Sequence, residues 1–142
     1  NFWSKSAGTS LYNNWCGLAF ERVCFAHIPQ IKHALSIGGV VSNEYSWFVR
    51  RTDDRPGAQI DLLLDRGDQT INICETKYTS SSDFVLNEEE ETKILSRRER
   101  FIEETGTTKA VHLTLITTRG LVRNSHSDIF QNVVVAESLF EK

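Results

Sequence analysis

A three-residue turn between two apolar stretches constrains this chain most. Residues 59–66, QIDLLLDR, and residues 70–78, TINICETKY, are rich in apolar and β-branched side chains, which is typical of strands. The intervening GDQ predicts a tight hairpin. A loop of this length places Arg66 opposite Thr70, and counting back along both strands places Asp61 opposite Glu75.

Two directly opposed carboxylates need compensation. Opposed residues of an antiparallel pair lie about 4.5 to 5.5 Å apart at Cα, and like charges there destabilise a sheet. A divalent cation would offset the repulsion, and an oxygen-only ligand set favours Mg²⁺ or Mn²⁺ over zinc. The alternative is that Asp61 only marks the entrance of its strand while Glu75 pairs with Lys77.

The tripeptide Glu-Thr-Lys occurs twice, at residues 75–77 and 91–93. In a strand, residues two apart project to the same face, whereas on a helix they lie about 200° apart around the axis. The first copy falls in a predicted strand and the second in a predicted helix. Glu75 and Lys77 should therefore converge, while Glu91 and Lys93 should diverge in a solvated helical turn.

The N-terminal part of the chain predicts a helix. Thr9 and Ser10 are typical N-cap residues, and Pro29 should end the helix or begin a second one, which two glycines then stop. Glu21 lies among apolar residues, so we expect it to point toward the sheet, although pairing with Arg22 at the surface is the alternative. The apolar spacing predicts a buried stripe of Trp15, Ala19, Val23 and Ala26.

The remaining segments complete an α/β pattern. Residues 44–50 and 109–118 predict strands, and residues 132–140 predict a last strand leading into a turn. Residues 87–106 predict a helix that Asn87 caps, with four acids in its first turn. The resulting order of helix, three strands, helix and strand is that of an α/β domain with a mixed sheet.

Composition limits the class of protein. The 142 residues, 39% of them hydrophobic, predict a single domain over 1–142. The first residue is Asn and there is no Met, which suggests a fragment of a longer chain. No apolar run reaches the roughly 20 residues that span a bilayer, and no secretory signal is visible, so we expect a cytoplasmic protein without a membrane partner.

Charge and cysteine usage add two expectations. The net charge of −3 argues against a protein that coats nucleic acid non-specifically, but not against an enzyme that binds phosphodiesters locally. Cys16, Cys24 and Cys74 lie in apolar segments without metal-ligand spacing, which predicts buried free thiols.

With these residues in view, the chain resembles the PD-(D/E)XK nuclease superfamily. That family carries an acid at a strand start, acid-x-Lys on the next strand and often a Glu on the first helix, and the matching positions here are Glu21, Asp61, Glu75 and Lys77. From about residue 12 onward the chain looks like the nuclease-type domain at the C-terminal end of some bacterial ATPases. Ile60 stands where the family pattern has Pro.

The resemblance implies a restriction-endonuclease-like αβββαβ core and metal-dependent hydrolysis of phosphodiesters. Asp61, Glu75 and the backbone carbonyl of Thr76 would hold Mg²⁺, for which Mn²⁺ can substitute, and lower the pKa of a bound water. Lys77 would orient or deprotonate that water, or stabilise the charge of the phosphorane.

Two further side chains have weaker roles in this resemblance. Glu21 would act through a bound water or a second metal. Gln59 is a secondary candidate that we expect on the strand face opposite Asp61, where it could instead cap the sheet edge.

The substrate implied is nucleic acid, with DNA as the first candidate. No phosphate-binding G-x-x-x-x-G-K-[ST] loop is present, so an ATPase partner domain would lie outside this sequence. The sequence does not specify an oligomeric state, and it is compatible with a dimer. The alternative function is a non-catalytic module of the same fold that binds a partner or regulates an attached ATPase. A nucleic-acid-binding domain without chemistry would leave the opposed carboxylates unexplained.

Three other features carry expectations. The tryptophans at 3, 15 and 47 are expected to pack in the core rather than stack on bases. Basic residues at 97, 98 and 100 could contact phosphates or complement the dipole of a helix end. Residues 80–82, all serine, predict a loop near the site that could admit substrate.

Overall fold

The structure is built on a five-stranded mixed sheet with helices on both faces. It is a computed structural model that describes the backbone of residues 2–140 and the side chains of residues 10–140. The strands are β1 (Ser42–Val49), β2 (Ala58–Arg66), β3 (Thr70–Lys77), β4 (Ala110–Thr117) and β5 (Asn132–Val135). The helices are α1 (Phe2–Ala26), α2 (Ile28–Ala34) and α3 (Glu88–Thr105), with 3-10 helices at Ser127–Ile129 and Ala136–Phe140. The predicted α/β class with a mixed sheet is confirmed.

The strands follow one another in space in their chain order. β1, β2 and β3 are antiparallel neighbours, whereas β3 pairs with β4 and β4 with β5 in parallel. Parallel neighbours need a long crossover connection, and α3 is part of the crossover between β3 and β4. The sheet therefore changes from antiparallel to parallel pairing at β3.

The hairpin between β2 and β3 has the predicted register. Leu62 pairs with Cys74 and Asp65 pairs with Ile71, as a three-residue loop at 67–69 requires. The last loop residue, Gln69, has φ of 66°, the left-handed conformation that closes three-residue hairpin loops. The hairpin signal in the sequence is thus sufficient to set this pairing.

Each face of the sheet buries its own apolar cluster. Residues of α1 and α2 pack on one face, against Leu62 and Leu64 of β2 and Cys74 of β3. Ile94 and Phe101 of α3 pack on the other face, and the strand residues in contact with that cluster are Ile60, Leu63, Ile71, Ile73, Leu113 and Leu115. The molecule therefore has three layers, helix, sheet and helix.

The buried stripe of α1 differs from the prediction. Cys16, Phe20 and Cys24 are buried, whereas Trp15 is 64% exposed. Moving a stripe by one position rotates it by about 100° around a helix axis. Of the predicted stripe, Trp15 and Ala26 are exposed, so the prediction is wrong for them, whereas Ala19 and Val23 are half-buried and Val23 packs against the same core. The cysteines, and not the tryptophan, face the core.

The start of α1 also differs from the prediction. The helix begins at Phe2, so Thr9 and Ser10 lie inside it and do not cap it. Ser and Thr are weak helix formers but do not break a helix, which leaves a capping pattern ambiguous when helical backbone continues upstream.

Other local expectations are confirmed. The side-chain oxygen of Asn87 accepts the Glu90 backbone N–H at 2.8 Å, and Gly106 ends α3 with φ of 64°. Pro29 lies in the first turn of α2. Trp47 packs edge-on against Phe101, with ring centroids 5.3 Å apart, whereas the side chain of the tryptophan at position 3 lies outside the described residues.

The three cysteines are free and buried, as predicted. Burial raises the pKa of the Cys24 thiol to about 12, so it is uncharged and unreactive at neutral pH. None of the helices that the structure describes combines the length and apolar character needed to cross a bilayer.

Candidate functional site

Strands β2 and β3 separate at the end that lies away from their hairpin. Their pairing stops at Leu62 and Cys74. Beyond this point β2 pairs only with β1, through Ile60 and Trp47, while β3 continues along β4 as far as Lys77. The divergence leaves a notch in the middle of the sheet, where residues of both strands line a cavity.

A β-bulge in β2 accompanies the divergence. Tyr45 pairs with Leu63 and Trp47 with Ile60, so two steps along β1 match three steps along β2. Ile60 and Leu63 consequently pack on the same side of the sheet, although they are three residues apart. The extra residue lies in the Asp61–Leu62 segment. Bulges redirect side chains relative to a regular ladder, and Asp61 lies within this one.

The predicted site residues meet at this notch. A cavity of about 380 Å³ is lined by the following six of them: Glu21, Gln59, Asp61, Glu75, Thr76 and Lys77. They come from α1, from the bulged part of β2 and from the end of β3. Asp61 and Glu75 do not form a ladder pair, because the pairing ends one residue earlier. The notch brings them to one cavity from two separated strands.

Glu21 faces the notch from α1 and is half-buried. The pKa of its carboxyl is raised above the usual range, first by burial and then by the negative charge of Asp61. The two acids therefore repel each other across the gap between helix and sheet, which is the electrostatic condition that a bound cation relieves.

Asp61 is exposed at the mouth of the notch and accepts a hydrogen bond from Gln59, whose Nε2 lies 2.8 Å from Oδ1. Residues two apart in a strand share a face, and this contact shows that Gln59 and Asp61 do. The expectation that Gln59 lies on the opposite face is wrong. Gln59 thus engages one carboxylate oxygen of Asp61, and both residues line the notch.

Glu75 and Lys77 are each paired with α3. Arg97 donates a short hydrogen bond to Glu75, and Lys77 Nζ lies 3.3 Å from Glu90 Oε2. Glu90 and Arg97 are seven residues apart, two turns of helix, and so present their side chains on one face. The suggested pairing of Glu75 with Lys77 is replaced by two ion pairs of opposite polarity between β3 and α3.

Sequence reasoning missed this role of α3. Arg97 was expected either to contact phosphate or to complement a helix end, but α3 continues to Thr105 and has no basic residue in its last turn. The dipole explanation is therefore wrong for Arg97. The sequence did contain a signal for this role. Glu75 and Lys77 lie on one strand face, Glu90 and Arg97 lie on one helix face, and the charges of the helix pair complement those of the strand pair.

The donor atoms at the notch suit a hard divalent cation in kind, since Asp61, Glu75 and Glu21 offer carboxylate oxygens. Yet among the residues whose side chains the structure describes, no group of three or more His, Cys, Asp or Glu side chains is arranged to hold a metal ion. Arg97 occupies one oxygen of Glu75. A cation at this position would compete with Arg97 for that carboxylate.

Comparisons with models of known protein families, with curated proteins and with solved structures found no match to this chain.

Proposed function

We propose that this chain is a metal-dependent nuclease of the PD-(D/E)XK superfamily, with the restriction-endonuclease-like core that its helix and strand order suggests. The observation that carries the proposal is the notch itself. Strands β2 and β3 diverge at the residues of the acid and acid-x-Lys pattern, and Asp61, Glu75, Lys77 and Glu21 line one cavity there. A structural ion-pair network needs no such opening in the sheet.

Mg²⁺ bound at the notch would neutralise non-bridging phosphate oxygens and lower the pKa of the attacking water. Asp61 and Glu75 are the side chains that would hold it, with the carbonyl of Thr76 at the same cavity wall. Glu21 would bind a water of that cation from the helix side. Mn²⁺ would substitute, because both ions prefer oxygen ligands.

Lys77 is the group of this chain that would act on the reacting phosphate. Its ammonium lies on the same strand face as Glu75 and contacts Glu90, which holds it beside the cavity. A positive charge at that position stabilises the additional negative charge that develops on phosphate oxygens as water attacks. DNA is the substrate that we propose first.

Titration with Mn²⁺ and a cleavage assay test the proposal together. Wild type should bind Mn²⁺ by calorimetry and cleave DNA in Mg²⁺, while Asp61→Ala should lose both properties. Lys93→Ala, which changes a solvent-exposed residue of the second Glu-Thr-Lys copy, is the matched control. A wild-type protein that folds but neither binds Mn²⁺ nor cleaves DNA or RNA would rule the proposal out.

A second candidate function is a non-catalytic module of the same fold that binds a partner or regulates an attached ATPase. The observation favouring it is that both residues of the acid-x-Lys pattern are engaged by α3, Glu75 by Arg97 and Lys77 by Glu90. In that case the two ion pairs fix α3 on the sheet, and their removal would destabilise the protein without changing Mn²⁺ binding.

A further inference from the structure

A larger groove adjoins the notch on the side of α1. It has a volume of about 840 Å³ and shares Glu21, Thr76 and Lys77 with the notch, so the two cavities are continuous. Its other walls come from the middle of α1 and from the loop that follows β3. We call it the hydroxyl–amide groove, after its remaining polar lining of Asn13, Asn14, Thr79, Ser80 and Ser82.

The lining of the hydroxyl–amide groove is suited to nucleotides. Amide and hydroxyl groups both donate and accept hydrogen bonds, and they contact phosphate, sugar and base edges without the repulsion that carboxylates would cause. Arg119 lies at the same loop, where its guanidinium donates to the Ser80 carbonyl at 3.3 Å. Within the part of the chain that the structure describes, Arg119 has no carboxylate partner, which leaves its charge available to a phosphate.

One aromatic ring belongs to the groove lining, and two exposed rings lie on α1 beside it. Tyr78 lines the groove, and Trp15 lies on α1 one turn before Leu18, another residue of the lining. Tyr12 in turn lies beside Trp15, with 28° between ring planes and centroids 6.3 Å apart. Tyr12 is 60% and Trp15 64% exposed. Exposed aromatic rings beside a polar groove form a surface on which unpaired bases stack.

The groove on the opposite side of the notch has a different character. It is basic, and its charged residues are already matched with carboxylates: Arg55 with Glu103, Lys93 with Glu89, Arg97 with Glu75 and Arg100 with Glu104. Those charges are compensated within the protein. Of these two grooves, only the one on the α1 side combines an available guanidinium with exposed rings.

We propose that the hydroxyl–amide groove binds an unpaired nucleic acid strand next to the bond that is cleaved, with phosphates near Lys77 and Arg119 and bases stacked on Tyr12 and Trp15. The position of the cleaved bond rests on the proposed nuclease function, but strand binding does not require cleavage. A duplex cannot offer its base faces to the rings, because they are stacked inside the helix. The groove therefore discriminates single strands from duplexes.

Fluorescence anisotropy in EDTA tests binding without cleavage. The probe is a fluorescein-labelled single strand of about 12 nucleotides, a length within the range that single-strand sites cover, compared with a blunt duplex of the same sequence. We expect the single strand to bind at least about 5-fold more tightly than the duplex. Trp15→Ala should weaken single-strand binding by about 10-fold, as the loss of one stacked base predicts, and duplex binding by less than about 2-fold.

Phe140→Ala is the matched control, because Phe140 is an aromatic residue of similar exposure that belongs to the C-terminal 3-10 helix and not to the groove. It should leave both affinities unchanged. Ser80→Ala combined with Ser82→Ala supplies a second variant outside the helix, which should weaken single-strand binding by about 3-fold through lost hydrogen bonds. Circular dichroism establishes that each variant is folded.

The outcomes separate this inference from the proposed function. Single-strand binding that Trp15→Ala weakens supports the groove even if wild type cleaves nothing in Mg²⁺. Cleavage in Mg²⁺ together with unchanged binding by Trp15→Ala overturns the groove and leaves the nuclease proposal intact. Equal affinity for strand and duplex, or no binding of either, also overturns it.

Discussion

The two Glu-Thr-Lys copies show how backbone geometry gives identical residues different surroundings. In β3, Glu75 and Lys77 lie on one face, contact the same helix and line the same cavity. In α3, Glu91 contacts His126 while Lys93 pairs with Glu89 on the preceding turn. The predicted convergence of the first copy and divergence of the second are both present. The tripeptide thus becomes a candidate site only where the backbone is extended.

Burial separates the two copies as well. The side chain of Glu75 is 12% exposed, whereas that of Lys93 is 58% exposed. Removing one partner of an ion pair that is shielded from water strongly destabilises a protein, whereas an exposed pair contributes only about 0 to 1 kcal/mol to stability. The same substitution should therefore have unequal effects in the two copies.

Lys77→Ala should have the largest effect, a loss of about 10² to 10³ in the rate of Mg²⁺-dependent cleavage, or about 3 to 4 kcal/mol of transition-state stabilisation. Affinity for Mn²⁺ should be retained or slightly increased, because an ammonium is not a ligand and repels the cation. Cleavage assays and calorimetry measure the two quantities. Cleavage at the wild-type rate would show that the strand copy is not the site.

Arg97→Ala should lower the free energy of unfolding by about 1 to 3 kcal/mol, since it leaves the shielded Glu75 without its charged hydrogen-bond donor. The freed carboxylate should bind Mn²⁺ more tightly than wild type does. Urea denaturation and calorimetry report the two effects. Reduced stability with unchanged Mn²⁺ affinity would favour the non-catalytic module, in which Glu75 serves only to hold α3.

Gln69→Gly should stabilise the protein slightly, by about 0.5 kcal/mol. The left-handed conformation costs a residue with a side chain about 1 to 2 kcal/mol, and the greater entropy of the unfolded chain with glycine offsets part of the gain. Thermal unfolding measures the change. The mutation tests the loop that sets the register of β2 and β3 and hence the position of the strand copy. Destabilisation by the glycine would mean that the Gln69 side chain contributes more than its backbone costs.

The hairpin shows why much of the fold was predictable. The register of Leu62 with Cys74 follows from local properties. These are the loop length, the flanking apolar residues and the rule that residues paired across two strands share a face. The caps of α3 are similarly local. The helical positions facing the sheet in α1 depend on tertiary packing, and there the prediction chose Trp15 over Cys16 and Phe20.

The notch was not predictable in the same way. Leu62, Leu63 and Leu64 are all buried because both faces of β2 are covered, so no alternation of polar and apolar residues marks the bulge beside Asp61. The divergence of two strands depends on their other neighbours, β1 and β4, which a hairpin pattern does not describe. The sequence could propose that Asp61 and Glu75 meet, but the structure was needed to show that they meet across a cavity.

Lys93→Ala should have the smallest effect. Its ammonium lies 3.4 Å from Glu89 on the same exposed helical face, and such pairs stabilise a helix by about 0.3 to 0.5 kcal/mol. Stability should therefore change by less than about 0.5 kcal/mol and cleavage by less than about 2-fold, because Lys93 does not line the notch. Lys93 also lines the basic groove beside Arg97, which makes the result informative. If Lys93→Ala slows cleavage several-fold while the protein stays folded and binds Mn²⁺ normally, the substrate must extend into that groove. The helical copy would then contact the substrate, although it takes no part in holding the metal.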